Sequence, residues 1–293
     1  MPKEIECLLN NGYCFRDSKK KEIAILMIHG FAASPKELEP LADFLKPDFD
    51  VFVPLLPGHK TNMDDFSKKK YTDWLDFSEE LYTKLQQDYP KVILLGFSMG
   101  GTICLNLASK KNPYKIITIS SPIDFFDINF TKGILNELRN TKISLATIVS
   151  EIQALSVKEK QDKEKDKAAK VDKIKTVFQN IYSKIRKDFI KVNNDMSDYI
   201  DTYEEISYAA VHEVFMLAKN TKPKLGKIKA DILVIHSRGD TLIPVSNSFE
   251  IINGVSSDNI ELCLVNNSKH HVIIDSDHDI AFKRIKDFIT RTF

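Results

Sequence analysis

The segment Gly96-Phe97-Ser98-Met99-Gly100 has the residue types and spacing of a nucleophilic serine. An apolar run that predicts a buried strand precedes it, and an apolar helical pattern follows it. In a G-x-S-x-G motif the serine lies on a strained turn from strand to helix, which projects its hydroxyl above the sheet. The positive N-terminal end of the next helix favours an anion that develops there. We therefore interpret Ser98 as the nucleophile of an acyl-transfer reaction.

A serine hydroxyl is a weak nucleophile at neutral pH, and it needs a base that is itself oriented by an acid. The chain order Ser, Asp, His places that acid after a later strand of the sheet. Asp240 follows the apolar run 230–236, so its carboxylate is expected at the same sheet edge as Ser98. Asp124, which follows an earlier strand, is the alternative acid.

The base must come later in the chain than the acid. Two adjacent histidines, His270 and His271, lie in a loop after the last apolar run, and both qualify. The residue types alone leave that choice open. His29 and His236 lie on predicted strands and are interpreted as structural histidines, with His29 bracing the loop that follows it.

The oxyanion of an acyl-transfer intermediate needs two backbone N–H donors. Met99 should supply one, because it follows the nucleophile. The loop that begins at His29 should supply the other, and Phe31 is the expected donor. Since the donor is a backbone group, the ring of Phe31 can also line the substrate pocket.

The elements that position these residues are readable from hydrophobic patterning. Short continuous apolar runs predict strands buried on both faces, as in a parallel sheet. Helical patterns lie between them, and this alternation favours an α/β fold with a mostly parallel, doubly wound sheet. The predicted strands are 22–29, 91–97, 115–119, 230–236 and 262–265, and the predicted helices are 35–45, 71–88 and 278–291.

The alternation breaks between residues 122 and 224, where only helical patterns occur. We interpret this stretch as an all-helical cap inserted into a core made of residues 1–121 and 225–293. Its apolar faces are expected to line an acyl or alcohol channel, with Phe125 and Phe126 as candidate substrate-binding residues. The charged run 158–175 is interpreted as a solvated helix face or a mobile connection. Binding to an acidic partner is the minor alternative, because the positive and negative charges of the run nearly cancel.

The cysteines predict neither a metal site nor a disulfide framework. None shows Cys-x-x-Cys spacing, so no zinc site is expected, and all four are interpreted as reduced thiols. Two of them flank an N-terminal hairpin turn centred on either Asn10-Asn11 or Asn11-Gly12. The four are Cys7, Cys14, Cys104 and Cys263.

Composition limits the possible functions. The 293 residues include 42 basic and 41 acidic side chains, and a net charge of +1 disfavours a protein that binds nucleic acid by neutralising phosphates. No apolar run approaches the roughly 18 residues of a membrane-spanning helix, so no stable membrane insertion is expected. The N-terminal residues do not resemble a signal peptide, which favours a cytoplasmic protein. A monomer and a homodimer are both compatible with the sequence.

Five motifs stand in one order along the chain: His29-Gly30-Phe31, Pro57-Gly58-His59, Gly96–Gly101, Gly239-Asp240 and Ser268–Asp275. This order resembles that of the α/β-hydrolases, and the residues of the motifs are similar to those of small bacterial carboxylesterases and monoacylglycerol lipases. The resemblance covers about 21–121 and 225–293. In that group the base follows Ser-x and precedes an Asp by five residues, so the resemblance implies His270 rather than His271.

The resemblance also implies a sheet of about eight strands, a cap over the site, and ester hydrolysis without a cofactor. Two features of this chain depart from the group. The insertion is longer than the usual short cap, and Lys60 stands where the group often has Gly.

Together these features predict a serine carboxylic-ester hydrolase that acts through an acyl-enzyme on short-to-medium acyl esters or monoacylglycerols. A carboxylesterase is the favoured activity, and a monoacylglycerol lipase is its alternative. A lysophospholipase or thioesterase remains open, as does a catalytically silent hydrolase fold that only binds. Ser98 argues against dehalogenase and epoxide-hydrolase chemistry, which needs a carboxylate at that position.

Overall fold

The structure is a computed structural model that describes residues 9–16, 21–124 and 208–291. Its strands are β1 (Tyr13–Phe15), β2 (Ile23–Ile28), β3 (Asp50–Val53), β4 (Lys91–Phe97), β5 (Lys115–Ile119), β6 (Asp231–Ser237) and β7 (Ile260–Val265). Over the described residues they form one seven-stranded sheet in the order β1-β3-β2-β4-β5-β6-β7. All neighbouring strands are parallel except β1, which pairs antiparallel with β3. The predicted α/β architecture with a mostly parallel sheet is confirmed.

The helices cover both faces of this sheet. They are α1 (Glu39–Leu45), α2 (Met63–Lys68), α3 (Tyr71–Asp88), α4 (Met99–Ala108), α5 (Tyr208–Thr221), α6 (Ser246–Gly254) and α7 (His278–Thr290). Two short 3₁₀ helices, Pro35–Leu38 and Lys222–Lys227, precede α1 and follow α5. Apolar residues of α3, α4, α5 and α6 pack on one face, and those of α1 and α7 pack on the other. Because both faces are covered, the central strands consist mostly of buried apolar residues.

The carboxyl ends of the parallel strands meet at one edge of the sheet. The register pairs Ile28 with Gly96, and Ile119 with both Phe97 and Ile235. The loops that follow neighbouring strands therefore start side by side at this edge. Ligands of open α/β sheets bind at this edge. The candidate nucleophile, acid and base all follow strands that end here.

Two local features differ from the sequence prediction, and a third decides between two alternatives that the sequence left open. The predicted helix 35–45 is divided into a 3₁₀ turn and α1, because Pro40 lacks the N–H that a continuous helix would need. Strand β3 and helices α2 and α6 are absent from the prediction. The N-terminal turn is centred on Asn10 and Asn11, both at positive φ, and Gly12 N–H donates to Leu9 O at 2.8 Å.

Most of the predicted cap lies outside the described residues, and so do Phe125, Phe126, the charged run 158–175 and Cys7. The final stretch of the predicted cap forms α5, which packs on the helices of the core through Ala210, Val214 and Leu217. Among the described cysteines, none forms a disulfide.

Candidate active site

Ser98 occupies the turn between β4 and α4 in a strained backbone conformation, with φ 51° and ψ −123°. The strand and helix approach so closely that a Cβ on Gly96 would overlap the backbone of Gly100. A Cβ on Gly100 would in turn overlap the backbone at Ile28 and His29, where β2 ends. Glycine at these two positions therefore lets the turn form and brings the loop after β2 beside Ser98.

The structure brings the three predicted residues Ser98, His270 and Asp240 into one hydrogen-bonded row. His270 Nε2 lies 3.0 Å from Ser98 Oγ, and His270 Nδ1 lies 2.8 Å from Asp240 Oδ2. All three side chains are buried. Because a carboxylate only accepts hydrogen bonds, Nδ1 carries the hydrogen and Nε2 is available to take a proton from the hydroxyl.

The carboxylate of Asp240 is held by donors on both of its oxygens. Oδ1 accepts from the backbone N–H groups of Leu242 at 2.9 Å and Ile243 at 2.8 Å. Oδ2 faces His270 and also His236 Nε2 at 3.3 Å. Burial alone would raise the pKa of Asp240, but the charge of His270 and the hydrogen bonds from both histidines outweigh it and hold that pKa well below its usual value.

The loop that carries His270 is fastened to the sheet edge by serines from two other strands. Ser120 Oγ, after β5, donates to His270 O at 2.9 Å. Ser237 Oγ, at the end of β6, donates to Ser268 O. The position of the candidate base therefore depends on hydroxyls that the sequence prediction did not identify.

A second set of contacts closes this loop from within. Asp277 accepts from the N–H groups of Asn267 at 2.7 Å and Ser268 at 2.8 Å, and its own N–H donates to Ser268 Oγ at 2.8 Å. Asp275 accepts from Lys269 N–H at 2.8 Å. Asp275, the carboxylate five residues after His270, thus helps to fix the loop that carries the imidazole.

The loop after β2 is braced by His29, as predicted. His29 Nδ1 donates to Gly30 O at 2.8 Å, and its Nε2 accepts from Leu56 N–H at 3.1 Å. Gly30 N–H donates to the carboxyl of Glu37. Both backbone groups of Gly30 are therefore held, immediately before the proposed oxyanion donor Phe31.

Burial changes the charge state of the two side chains that hold Gly30. It raises the pKa of Glu37 to about 8, and the hydrogen bond from Gly30 opposes this only in part. It lowers the pKa of His29 to about 4. At neutral pH Glu37 is thus largely protonated and His29 is neutral, so the loop is held by hydrogen bonds without a buried ion pair.

An aromatic wall stands beside this loop. The ring of Phe31 lies 5.3 Å from that of Phe66 and 6.4 Å from that of Trp74, measured between centroids. Trp74 Nε1 donates to Pro57 O at 3.1 Å, which orients the indole. The second proposed oxyanion donor, Met99, is buried as the first residue of α4.

The two alternative residues, Asp124 and His271, are not members of the hydrogen-bonded row of Ser98, His270 and Asp240. Asp124 Oδ2 contacts Lys222 Nζ at 2.5 Å rather than His270. His271 is buried with its ring 5.1 Å from that of Phe97, and burial holds its pKa well below the usual value.

Lys60 stands where the resembling group often has Gly. It has the left-handed backbone conformation, with φ 56°, that glycine adopts readily.

The model of the alpha/beta hydrolase fold family matches residues 23–284. The chain belongs to this family. The resemblance predicted from the motifs is therefore confirmed. This α/β-hydrolase is 26% identical over 273 residues to a thermostable monoacylglycerol lipase of Bacillus sp. (strain H-257), a match that covers 92% of this chain and 91% of the relative.

Solved structures agree with this α/β-hydrolase in fold. One of a pair of metagenome-derived lipolytic enzymes superposes with a TM-score of 0.68 at 20% identity, covering 93% of this chain and 95% of that one. The monoacylglycerol lipase of Paleococcus ferrophilus superposes with a TM-score of 0.61 at 14% identity, covering 94% and 97%.

Within the part of this α/β-hydrolase that the structure describes, no group of three or more His, Cys, Asp or Glu side chains could hold a metal ion. The helices of that part include none long and apolar enough to cross a membrane.

Proposed function

We propose that the protein is a lipase/esterase-type hydrolase that cleaves carboxylic esters through an acyl-enzyme. The observation that carries this proposal is the hydrogen-bonded row of Ser98, His270 and Asp240 at the carboxyl edge of the sheet. The similarity to a Bacillus monoacylglycerol lipase, which extends over nearly the whole chain, supports an ester as the substrate.

In the proposed first half-reaction, His270 Nε2 removes the proton of Ser98 as Oγ attacks the ester carbonyl carbon. Asp240 stabilises the imidazolium that forms and keeps its ring oriented. Collapse of the tetrahedral intermediate breaks the bond to the alcohol oxygen, and His270 returns the proton to that oxygen. In the second half-reaction His270 activates a water molecule, which releases the acid and regenerates Ser98.

The negative charge of each tetrahedral intermediate falls on the former carbonyl oxygen. We propose that the N–H groups of Phe31 and Met99 stabilise it. The position of Phe31 after the braced residue Gly30 supports its assignment, because fixed donors need no reorganisation during the reaction.

We propose short-to-medium acyl esters as the favoured substrates, with monoacylglycerols as the second candidate because of the Bacillus relative. The aromatic wall of Phe31, Phe66 and Trp74 supports an apolar group near the oxyanion loop. We also propose that residues 122–224 form a cap over the site, with Phe125 and Phe126 lining an acyl or alcohol channel. A series of p-nitrophenyl esters of rising chain length, assayed beside monoacylglycerols, distinguishes the two substrate classes.

Labelling by a fluorophosphonate probe tests the proposed nucleophile. The wild-type protein should be labelled and should hydrolyse p-nitrophenyl butyrate. Ser98→Ala should do neither, while Ser109→Ala, which alters a hydroxyl at the far end of α4, should retain both activities. Equal labelling of wild type and Ser98→Ala would reject the proposed function.

A further inference from the structure

His236 is a fully buried histidine that contacts the same carboxylate oxygen of the candidate acid, Asp240 Oδ2, as the candidate base His270. It is the next-to-last residue of β6, and Asp240 follows four residues later. Its Nε2 lies 3.0 Å from Ile243 O and 3.3 Å from Asp240 Oδ2. From its place on a strand the sequence predicts only a structural histidine.

The neighbours of the His236 ring fix the position of its hydrogen. A backbone carbonyl can only accept, so Nε2 carries a hydrogen that is shared between Ile243 O and Asp240 Oδ2. Among the described residues, the buried Nδ1 has no hydrogen-bond partner. A second hydrogen there would face no acceptor, so the geometry indicates the tautomer protonated on Nε2 alone.

With this contact four N–H groups surround the carboxylate of Asp240. Two backbone N–H groups, from Leu242 and Ile243, satisfy Oδ1. His270 and His236 satisfy Oδ2. A carboxylate that is held on all sides can neither rotate nor accept a further proton without losing a hydrogen bond.

We propose that His236 is a positioning residue that directs Asp240 Oδ2 toward His270 and sets the basicity of that imidazole. The inference deepens the proposed function and rests on it. It explains why a buried carboxylate can remain ionised through a catalytic cycle in which His270 repeatedly gains and loses a proton. The titratable side chains that face this carboxylate in the described structure are His236, His270 and the neighbouring His271.

The charge distribution gives the expected direction of the effect. Loss of the His236 N–H leaves Oδ2 with one donor, so more of the carboxylate charge acts on His270 and favours its protonated form. The pH at which His270 titrates should therefore rise. At neutral pH less of the imidazole would be available as a base, and the less constrained carboxylate would orient it less well.

The test compares His236→Gln with His236→Met. The glutamine amide can place an N–H where Nε2 stands, whereas methionine fills a similar volume without a donor. In His236→Met we expect kcat to fall about tenfold with KM within about twofold of wild type, and the His270 titration followed by ¹⁵N NMR to move to higher pH than in the wild type. His236→Gln should restore both values.

Identical kcat values and identical His270 titrations in the two variants would overturn the inference. If His236→Met does not fold, His236→Phe retains the ring volume and takes its place in the comparison. The NMR titration needs no turnover, so it judges the role of His236 even if fluorophosphonate labelling and ester hydrolysis both fail, a result that would reject the proposed function instead.

Discussion

The ring of His29 holds the carbonyl oxygen of Gly30 at 2.8 Å, and that carbonyl shares its peptide group with the N–H of Phe31. All described peptide bonds are trans, so this N–H points away from the carbonyl and from the ring that holds it. Leu56 N–H, bonded to the other ring nitrogen, keeps the hydrogen of His29 on Nδ1. One side chain thus sets the direction of the proposed oxyanion donor.

Replacement of His29 should impair turnover more than substrate binding. His29→Ala frees the Gly30–Phe31 peptide to rotate, and we expect kcat to fall about 10²-fold, comparable to the loss of one oxyanion donor. His29→Asn is the matched control, because its amide can still donate to Gly30 O. Steady-state kinetics on p-nitrophenyl butyrate measures both. A kcat for His29→Ala within twofold of wild type would refute this role.

The strained backbone at Ser98 should lower the free energy of unfolding of the protein. The φ of 51° costs a residue with a side chain about 1–3 kcal/mol, and glycine avoids most of that cost. Both Ser98→Ala and Ser98→Gly should abolish esterase activity. Only Ser98→Gly should raise the free energy of unfolding, by about 1 kcal/mol, because alanine remains strained. Urea denaturation of the three proteins measures the difference, and equal stability of the two variants contradicts it.

Glu37 should make the free energy of unfolding fall as the pH rises from about 5 to 8. Burial raises its pKa to about 8 in the folded protein, from a usual value of 4.5. Between these values the folded state holds a proton that the unfolded state has released, so stability falls as the pH rises. Relative to Glu37→Gln, the wild type should lose up to about 1.4 kcal/mol per pH unit between pH 5 and 8.

Urea denaturation at pH 5, 6, 7 and 8 tests the Glu37 prediction. Glu39→Gln, two residues away at a partly exposed carboxyl, is the control and should follow the wild type. Parallel pH profiles for wild type and Glu37→Gln would mean that the Glu37 carboxyl is not proton-bound in the folded protein.

Asp277 should hold the His270 loop in place. Asp277→Ala leaves the N–H groups of Asn267 and Ser268 without their acceptor, which should cost about 2 kcal/mol of stability and lower kcat. Asp279→Ala, at a carboxylate whose side chain is 90% exposed, should change neither. Thermal unfolding and initial rates measure the pair, and a loss of rate in Asp279→Ala alone would contradict the assignment.

The same carboxylate should contribute to acid sensitivity. Burial opposes ionisation of Asp277, but hydrogen bonds from Asn267 and Ser268 outweigh it and lower the pKa below its usual value. The resulting stabilisation is fully present above the unfolded pKa of about 3.9 and is lost as the pH falls from there through the lower pKa of the folded protein. Asp277→Ala should therefore unfold with a weaker pH dependence between pH 5 and 2.

The strands and helices that the sequence predicted correctly are those whose signals lie within one short segment of the chain. Strands β4 and β5 and helix α3 have the predicted bounds, because each is a continuous apolar run or a periodic pattern between clear breakers. Strand β3 escaped prediction because it has only four residues. The pairing of Tyr13 with Val53 is a long-range contact, which no local pattern in either segment specifies.

The site residues that could be predicted from the sequence are those that belong to a recognisable motif. Ser98, Asp240 and His270 stand in motifs of fixed order, and the structure brings all three together. Asp277, Ser120 and His236 could not be found in this way. Their contacts with the site come from the packing of separate loops, and an isolated Ser, His or Asp carries no sequence signal of such a contact.

The chain leaves the described core at Asp124 and re-enters it at α5, and the two ends are joined by the contact of Lys222 Nζ with Asp124 Oδ2. Asn247 Oδ1 also accepts from the N–H groups of Ile123 and Asp124, both at 2.7 Å. Ile123, Asp124 and Lys222, which lie where the proposed cap begins and ends, are thus fixed to the core by contacts that involve none of Ser98, Asp240 or His270. If the proposed cap sets substrate selectivity, replacing it between these two points should change selectivity and leave the proposed catalytic residues in place.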